Sequence, residues 1–368
     1  MAESLRQKLA TRLTLGGPIT VADYMSEALA NPRHGYYRHR DPLGATGDFI
    51  TAPEISQTFG ELIGAWLAER WQALGAPAAV RLVELGPGRG TLMADALRAT
   101  RQVAGFHRAV DLHLVEINAA LKERQRQAIA AAAPAVTPHW QDGFAAVPDG
   151  APLLLVANEF FDALPIRQLQ RTERDWRERL VMLHNEALRF VLAPGPSPLA
   201  AVLPPALAQA GPGAIAEISL PARALARDIG ERLARHRGAA LIVDYGHASP
   251  QAGDSLQAVA RHKYADPLAA PGEADLSAHV DFAALAHSAR DAGAASHGPV
   301  PQGEFLRALG IEQRSAALQA RADATQAAVL EAGVRRLIEP RQMGTLFKVL
   351  ALTDRQSSAP AGFPVIEA

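Results

Sequence analysis

The sequence predicts an α/β protein built on an open, mainly parallel sheet, a Rossmann-like arrangement. Short apolar runs alternate with helix-like stretches from residue 81 onward. The run PLLLVA at 152–157 is apolar throughout, as a strand covered on both faces is. A glycine-rich turn, GPGRG at 86–90, joins the first strand-like run to the first helix.

The elements follow in order. Residues 81–85 form the first strand and 91–98 its helix; 112–117 form a second strand followed by a helix at 119–132. Residues 136–140 make a weaker third strand, 152–157 a fourth, and 239–243 (AALIV) a fifth, preceded by a helix at 221–237. A last strand, TLFKVLAL, occupies 345–352. Three pieces stand outside this core. Ahead of it, a helix at 21–30 capped by Thr20 leads into the Gly-rich stretch GATGDFITAP. Residues 174–192 alternate like a hairpin around His184, Asn185 and Glu186, and a Pro-rich loop follows. Residues 250–340 hold a long loop, RHKYADPLAAPGEADLSAHVDF, and Ala-rich helices, one of them at 315–338.

Of the 368 residues, 48% are hydrophobic and 20% charged, the balance of a soluble globular protein, which rules out disorder over most of the length. With 37 basic against 38 acidic residues there is no global field to draw in nucleic acid or an anionic membrane. The absence of cysteine removes disulfides, thiolate nucleophiles and cysteine-ligated metal clusters. The 12 histidines are scattered without HExxH-like spacing, so no metal site is expected. The longest uncharged run, 190–216, is broken by Pro194, Pro196, Pro198, Pro204, Pro205 and Pro212 and reads as a loop, not an integral membrane segment. The opening MAESLR has no apolar core, so the expectation is a cytoplasmic protein. Abundant alanine with few lysines reads as the bias of a GC-rich bacterial genome.

Gly86, Gly88 and Gly90 lie where missing side chains let backbone approach a nucleotide-like ligand. Their GxGxG spacing departs from the dinucleotide fingerprint, and no Lys-Ser or Lys-Thr follows as a phosphate loop requires. Glu84, two residues before the turn, suits a ligand whose amino-acid end is cationic, such as S-adenosylmethionine with its ammonium and sulfonium. Glu116, in LHLVEIN, can accept both ribose hydroxyls, and Asp142, after the third strand, is placed for the adenine. The plain alternative is a tight turn.

Directly after the fourth strand, ANEFFDALPIRQ sets Asn158, Glu159 and Asp162 to orient a substrate nitrogen, with Phe160 or Phe161 as a wall. Otherwise the phenylalanines are core and Asp162 caps a turn before Pro165. In GATGDFITAPEISQTFGELIGAWL, Gly47, Asp48, Thr51, Glu54 and Ser56 cluster polar groups at a helix start, either a lid over the cofactor or a capped turn. His279 and Asp281 make an acid-base pair or a solvated loop.

At these residues the sequence resembles the MidA-like family, whose mitochondrial members are assembly factors of respiratory complex I and methylate an arginine of its 49 kDa subunit. GDFITAPEISQTFGE, VELGPGRGTL, NEFFDALP, VDYGH and YADPLAAPGEADLSAHVDF match the family pattern in order, over nearly the whole chain. The resemblance implies a class I S-adenosylmethionine-dependent methyltransferase fold with an N-terminal extension and insertions after strand four. It divides the chain into a lid or extension (1–53), the cofactor-binding half of the core (54–170) and an insertion with hairpin, Pro-rich loop and helix (171–237). The remainder of the core, with its inserted loop and helices (238–355), and a tail (356–368) complete it.

Arginine methylation fits the residues. A guanidinium is charged at any physiological pH, so carboxylates must gather its charge on two nitrogens and aim the third at the methyl group. Glu159 with Asp162, or either with Asp48 or Glu54, supplies them. The double-glutamate loop of better-known arginine methyltransferases is absent, and NEFF lacks the two prolines of the Asn-Pro-Pro-aromatic motif of many amino-group methyltransferases. With the resemblance, the expected function is a protein arginine methyltransferase, and the resemblance implies a complex I 49 kDa-type subunit as its acceptor. A small-molecule methyltransferase and a non-catalytic assembly chaperone are the alternatives.

Overall fold

The computed structural model describes residues 3–39, 50–207 and 209–364. Its contacts divide the chain into two compact units: Met1–Phe49, Asp162–Arg223 and Ser249–Asp281 in one, and Ile50–Phe161, Ala224–Ala248 and Phe282–Ala368 in the other.

The second unit carries the predicted sheet. Its strands are β1 (Val80–Leu85), β2 (Val110–Val115), β3 (Pro138–Gln141), β4 (Leu153–Asn158), β5 (Gly238–His247), β6 (Ala295–Pro301) and β7 (Phe347–Thr353). They lie in the order β6-β7-β5-β4-β1-β2-β3. β1 to β5 are parallel, and β7 runs antiparallel to both β5 and β6. The chain builds outward through β1, β2 and β3, then returns to β4 beside β1, so strand order reverses at the β1/β4 pair. Ligands of open α/β sheets bind at the carboxyl ends of strands around such a point. β4 is buried at every position, which accounts for its unbroken apolar sequence.

The helices cover this sheet. Phe59, Ile63, Trp66 and Leu67 of the helix Gln57–Ala73 join Leu92, Met93 and Leu97 of the helix Thr91–Ala99 in one core. Those two helices approach so closely that a Cβ on Gly64 would stand 2.5 Å from the Ala96 carbonyl oxygen. One expectation needs correction, and one strand goes beyond those expected. The helix read at 315–338 is a pair, Ile311–Gln319 and Ala324–Ile338, because Asp323 opens the second with a capping box to Gln326. β6 was not read at all. Its sequence ASHGPVP looks like a turn, and it is tolerated because it pairs only with β7, through an irregularity between His297 and Val300.

The first unit has an antiparallel sheet in the order Ile19–Thr20, Trp176–His184, Arg167–Arg171, Ile215–Ile218, with Ala187–Leu192 paired to Trp176–His184. The hairpin read at 174–192 turns at Asn185 and Glu186, with φ +47° and +62°. The helix Val21–Ala30 begins with the Thr20 cap read from the sequence. The long loop read at 262–282 is instead partly sheet: Lys263–Ala265 and Asp275–Ser277 flank Gln257–Ala260. Runs this short carry too few alternations to be legible. Tyr24, Met25, Tyr36, Leu268 and Leu276 lie in this unit's core.

Candidate active site

At the carboxyl end of β1 the backbone turns through Gly86, Gly88 and Gly90 with φ of +63°, +54° and +83°, the left-handed region that residues with a Cβ enter only under strain. A Cβ on Gly86 would meet the Phe160 ring at 2.8 Å. Gly90 opens the helix Thr91–Ala99 and, having no side chain, caps none of the amides of its first turn. From the neighbouring segment, Glu54 accepts a hydrogen bond from the Thr91 hydroxyl and stands 3.9 Å from Arg89.

Two acids lie behind this turn. Glu84 is 3% exposed, and its buried Oε2 has no hydrogen-bond partner among the described residues. Burial first, and then the charge of Glu116, push its carboxyl up to about 8. Glu116 is buried at the end of β2; Oε1 accepts from the Asn118 amide at 2.7 Å and Oε2 from Gln125 Nε2 at 3.1 Å. Burial raises its carboxyl too, against the hydrogen bonds from Asn118, Gln125 and the Ile117 backbone. An orphaned buried carboxylate oxygen beside a second carboxylate is poorly suited to a diphosphate and well suited to an ammonium. Such acceptors fit the ammonium and sulfonium of S-adenosylmethionine better than they fit a phosphate. Asp142 follows β3 with its side chain 87% exposed, 3.3 Å from Lys122.

The third cluster stands at the end of β4. Asn158 is its last residue, with Oδ1 buried and without a hydrogen-bond partner among the described residues, and Nδ2 3.2 Å from Glu159 Oε1. Glu159 follows at φ +50°, unusual for a residue with a side chain. Its amide donates to the Val243 carbonyl at 2.9 Å, and Oε1 accepts from the Ala52 amide at 2.8 Å. Fully buried Asp244 then holds the next two residues, Oδ2 accepting from the Phe160 amide at 3.1 Å and the Phe161 amide at 2.9 Å.

The structure thus brings Glu84, Gly86, Gly88, Gly90, Glu116, Asn158 and Glu159 to the carboxyl ends of β1, β2 and β4. Asp162 belongs to the other unit, where its charge and that of Asp275 raise the buried Tyr37 hydroxyl after burial itself. Gly47 and Asp48 lie outside the described residues. Thr51 precedes the short helix Ala52–Ile55 without a side-chain cap, whereas the Ser56 hydroxyl accepts from the Thr58 amide and starts the helix Gln57–Ala73. Sequence reading missed the roles of Asp244 and Gln125. Gln125 did leave a signal: it shares a helix face with Leu121 and Ile129, where an apolar residue belongs.

Residues 62–300 match the family described as "Putative S-adenosyl-L-methionine-dependent methyltransferase". The mouse mitochondrial protein arginine methyltransferase NDUFAF7 is 41% identical over 92% of this chain and 82% of its own length. The Drosophila melanogaster homologue is 39% identical over 95% of this chain and 84% of its own. The chain belongs to the MidA family of methyltransferases. A Burkholderia thailandensis protein crystallised with S-adenosylhomocysteine superposes with a TM-score of 0.86 at 31% identity, covering 97% of this chain and 93% of that one. This MidA-family member is an S-adenosylmethionine-dependent methyltransferase of the class I α/β fold. Among the described residues no helix is long and apolar enough to cross a membrane.

Proposed function

We propose that this enzyme is a protein arginine methyltransferase whose acceptor is a respiratory complex I subunit of the 49 kDa type. The observation that carries the reading is Glu159, a carboxylate fixed at φ +50° at the end of β4 and tied to the Ala52 amide. A non-glycine residue kept in the left-handed region persists only where its surroundings over-determine it, which suits a side chain that must be aimed. The names of the relatives, protein arginine methyltransferases, support the acceptor class.

When bound, S-adenosylmethionine supplies an electrophilic methyl group on a sulfonium. Glu84 and the glycine turn hold its amino-acid end, Glu116 its ribose, and Asp142 its adenine. Glu159 pairs with the acceptor guanidinium, drawing its positive charge toward two nitrogens and leaving the third with electron density to attack; as the nitrogen–methyl bond forms the sulfur–methyl bond breaks, sulfur keeps the electron pair as a neutral thioether, and the methylated nitrogen gives up one proton to solvent. Asn158 orients that carboxylate through its amide. The protein's share of the catalysis is positioning and charge placement.

The test incubates the enzyme with a 49 kDa-type subunit, or peptides from its arginine-containing N-terminal region, and labelled cofactor, read by mass spectrometry. Methylation on arginine is expected, and Glu159→Gln lowers turnover by about two to three orders of magnitude. Its affinity for S-adenosylhomocysteine stays within about twofold of wild type, since the charge lost faces the acceptor. Methylation on lysine, or on a small metabolite alone, overturns the arginine reading.

A further inference from the structure

Gln125 lies in the middle of the helix Ala119–Ala132 and is 0% exposed. A primary amide is costly to bury unless its donors and acceptor are paired. Here they are paired at three points. Nε2 donates to the Gly88 carbonyl oxygen at 2.7 Å and to Glu116 Oε2 at 3.1 Å, while Oε1 accepts from the Trp140 indole N–H at 2.7 Å. One planar group therefore ties the glycine turn after β1 to the acid after β2 and to an indole on β3. The same residue packs under the turn: a Cβ on Gly90 would stand 3.0 Å from Gln125 Cα.

The chemistry at this position is demanding. A glutamate would turn a carboxylate against Glu116 and the Gly88 carbonyl. An asparagine is one methylene too short to span the three partners, and an apolar residue would leave all three unpaired. Glu116 accepts from the Asn118 amide through Oε1 and from Gln125 through Oε2, with a further backbone hydrogen bond from Ile117; a carboxylate has about four acceptor sites, which leaves capacity for a ligand hydroxyl. We infer that Gln125 is a positioning residue for the cofactor, fixing the Gly88 carbonyl and the Glu116 carboxylate in the geometry that receives the ribose. The inference rests on the glycine turn and Glu116 being the cofactor cradle and is independent of the methyl acceptor.

Calorimetry with S-adenosylhomocysteine tests it, using Gln125→Met, Glu116→Gln and the double variant. A ribose-deoxy analogue is titrated alongside, and thermal unfolding monitors the fold. Gln125→Met is expected to weaken binding about tenfold, the worth of hydrogen bonding to a charged group. In the Glu116→Gln background the same change weakens it by less than about threefold, because the partner it positions is altered. Discrimination against the deoxy analogue shrinks in Gln125→Met. Trp140→Phe, which keeps Gln125 but releases its carbonyl, weakens binding about threefold and carries the test if Gln125→Met does not fold. Equal losses with and without Glu116, with discrimination unchanged, reduce Gln125 to a structural residue and overturn the inference, as does wild-type affinity in Gln125→Met and Trp140→Phe. If Glu116→Gln itself binds as wild type, the cradle assignment fails, and the inference with it.

Discussion

Gly88 and Glu84 show how single residues constrain the chemistry. At φ +54° a β-branched side chain at position 88 is strained by about 1–2 kcal/mol and fills space next to the turn. Gly88→Val is therefore expected to remain folded, by circular dichroism, and to lose S-adenosylhomocysteine binding by at least about a hundredfold; unchanged affinity would remove the turn from the site. Glu84 has its folded-state carboxyl at about 8, above the ordinary 4.5, so between those values the folded chain holds a proton that the unfolded chain releases. The stability of the ligand-free protein should consequently fall as pH rises through that window, and Glu84→Gln should flatten the dependence. With the ligand's ammonium on Glu84, binding would ionise that carboxyl, and affinity is then expected to rise between pH 7 and 8, by up to about tenfold, with a proton released. Buffers of different ionisation enthalpy will reveal that proton in calorimetry, and an affinity independent of pH would detach Glu84 from the ligand's cationic end.

Among the elements, the helices Gln57–Ala73 and Thr91–Ala99 form the tightest joint near the glycine turn. With a Cβ at position 64 placed 2.5 Å from backbone at Ala96, Gly64→Ala must push one helix away from the other. A loss of about 1–3 kcal/mol is expected in denaturant unfolding, the usual cost of overpacking, and wild-type stability would show that the joint yields freely. Legibility followed length and punctuation. β4 and the helix Ala119–Ala132 were read nearly to the residue because one is continuously apolar and the other is long. β6 was missed because its Gly298, Pro299 and Pro301 are turn residues by local chemistry, and pairing with β7 alone makes them acceptable. The break between Ile311–Gln319 and Ala324–Ile338 was hidden by helix-favouring composition on both sides.

For the molecule as a whole, a ligand that binds only the folded state stabilises it by mass action. S-adenosylhomocysteine at a hundredfold excess over its Kd should add about 2.7 kcal/mol, raising the melting temperature of wild type but not of Gly88→Val. Equal shifts in both would place the ligand elsewhere. The sequence alone determined the α/β class and the glycine turn, and it put the acids Glu84, Glu116 and Glu159 at strand ends, because local pattern marks each of those positions. Only the tertiary structure decided which polar groups those acids meet. Gln125 is 37 residues from Gly88, Asp244 is 84 from Phe160 and Ala52 is 107 from Glu159 along the chain. Nothing in a strand's own period specifies partners at such separations. They are set when the sheet order brings β4 beside β1 and β5 beside β4, and burial then requires each polar group left inside to find its hydrogen bond.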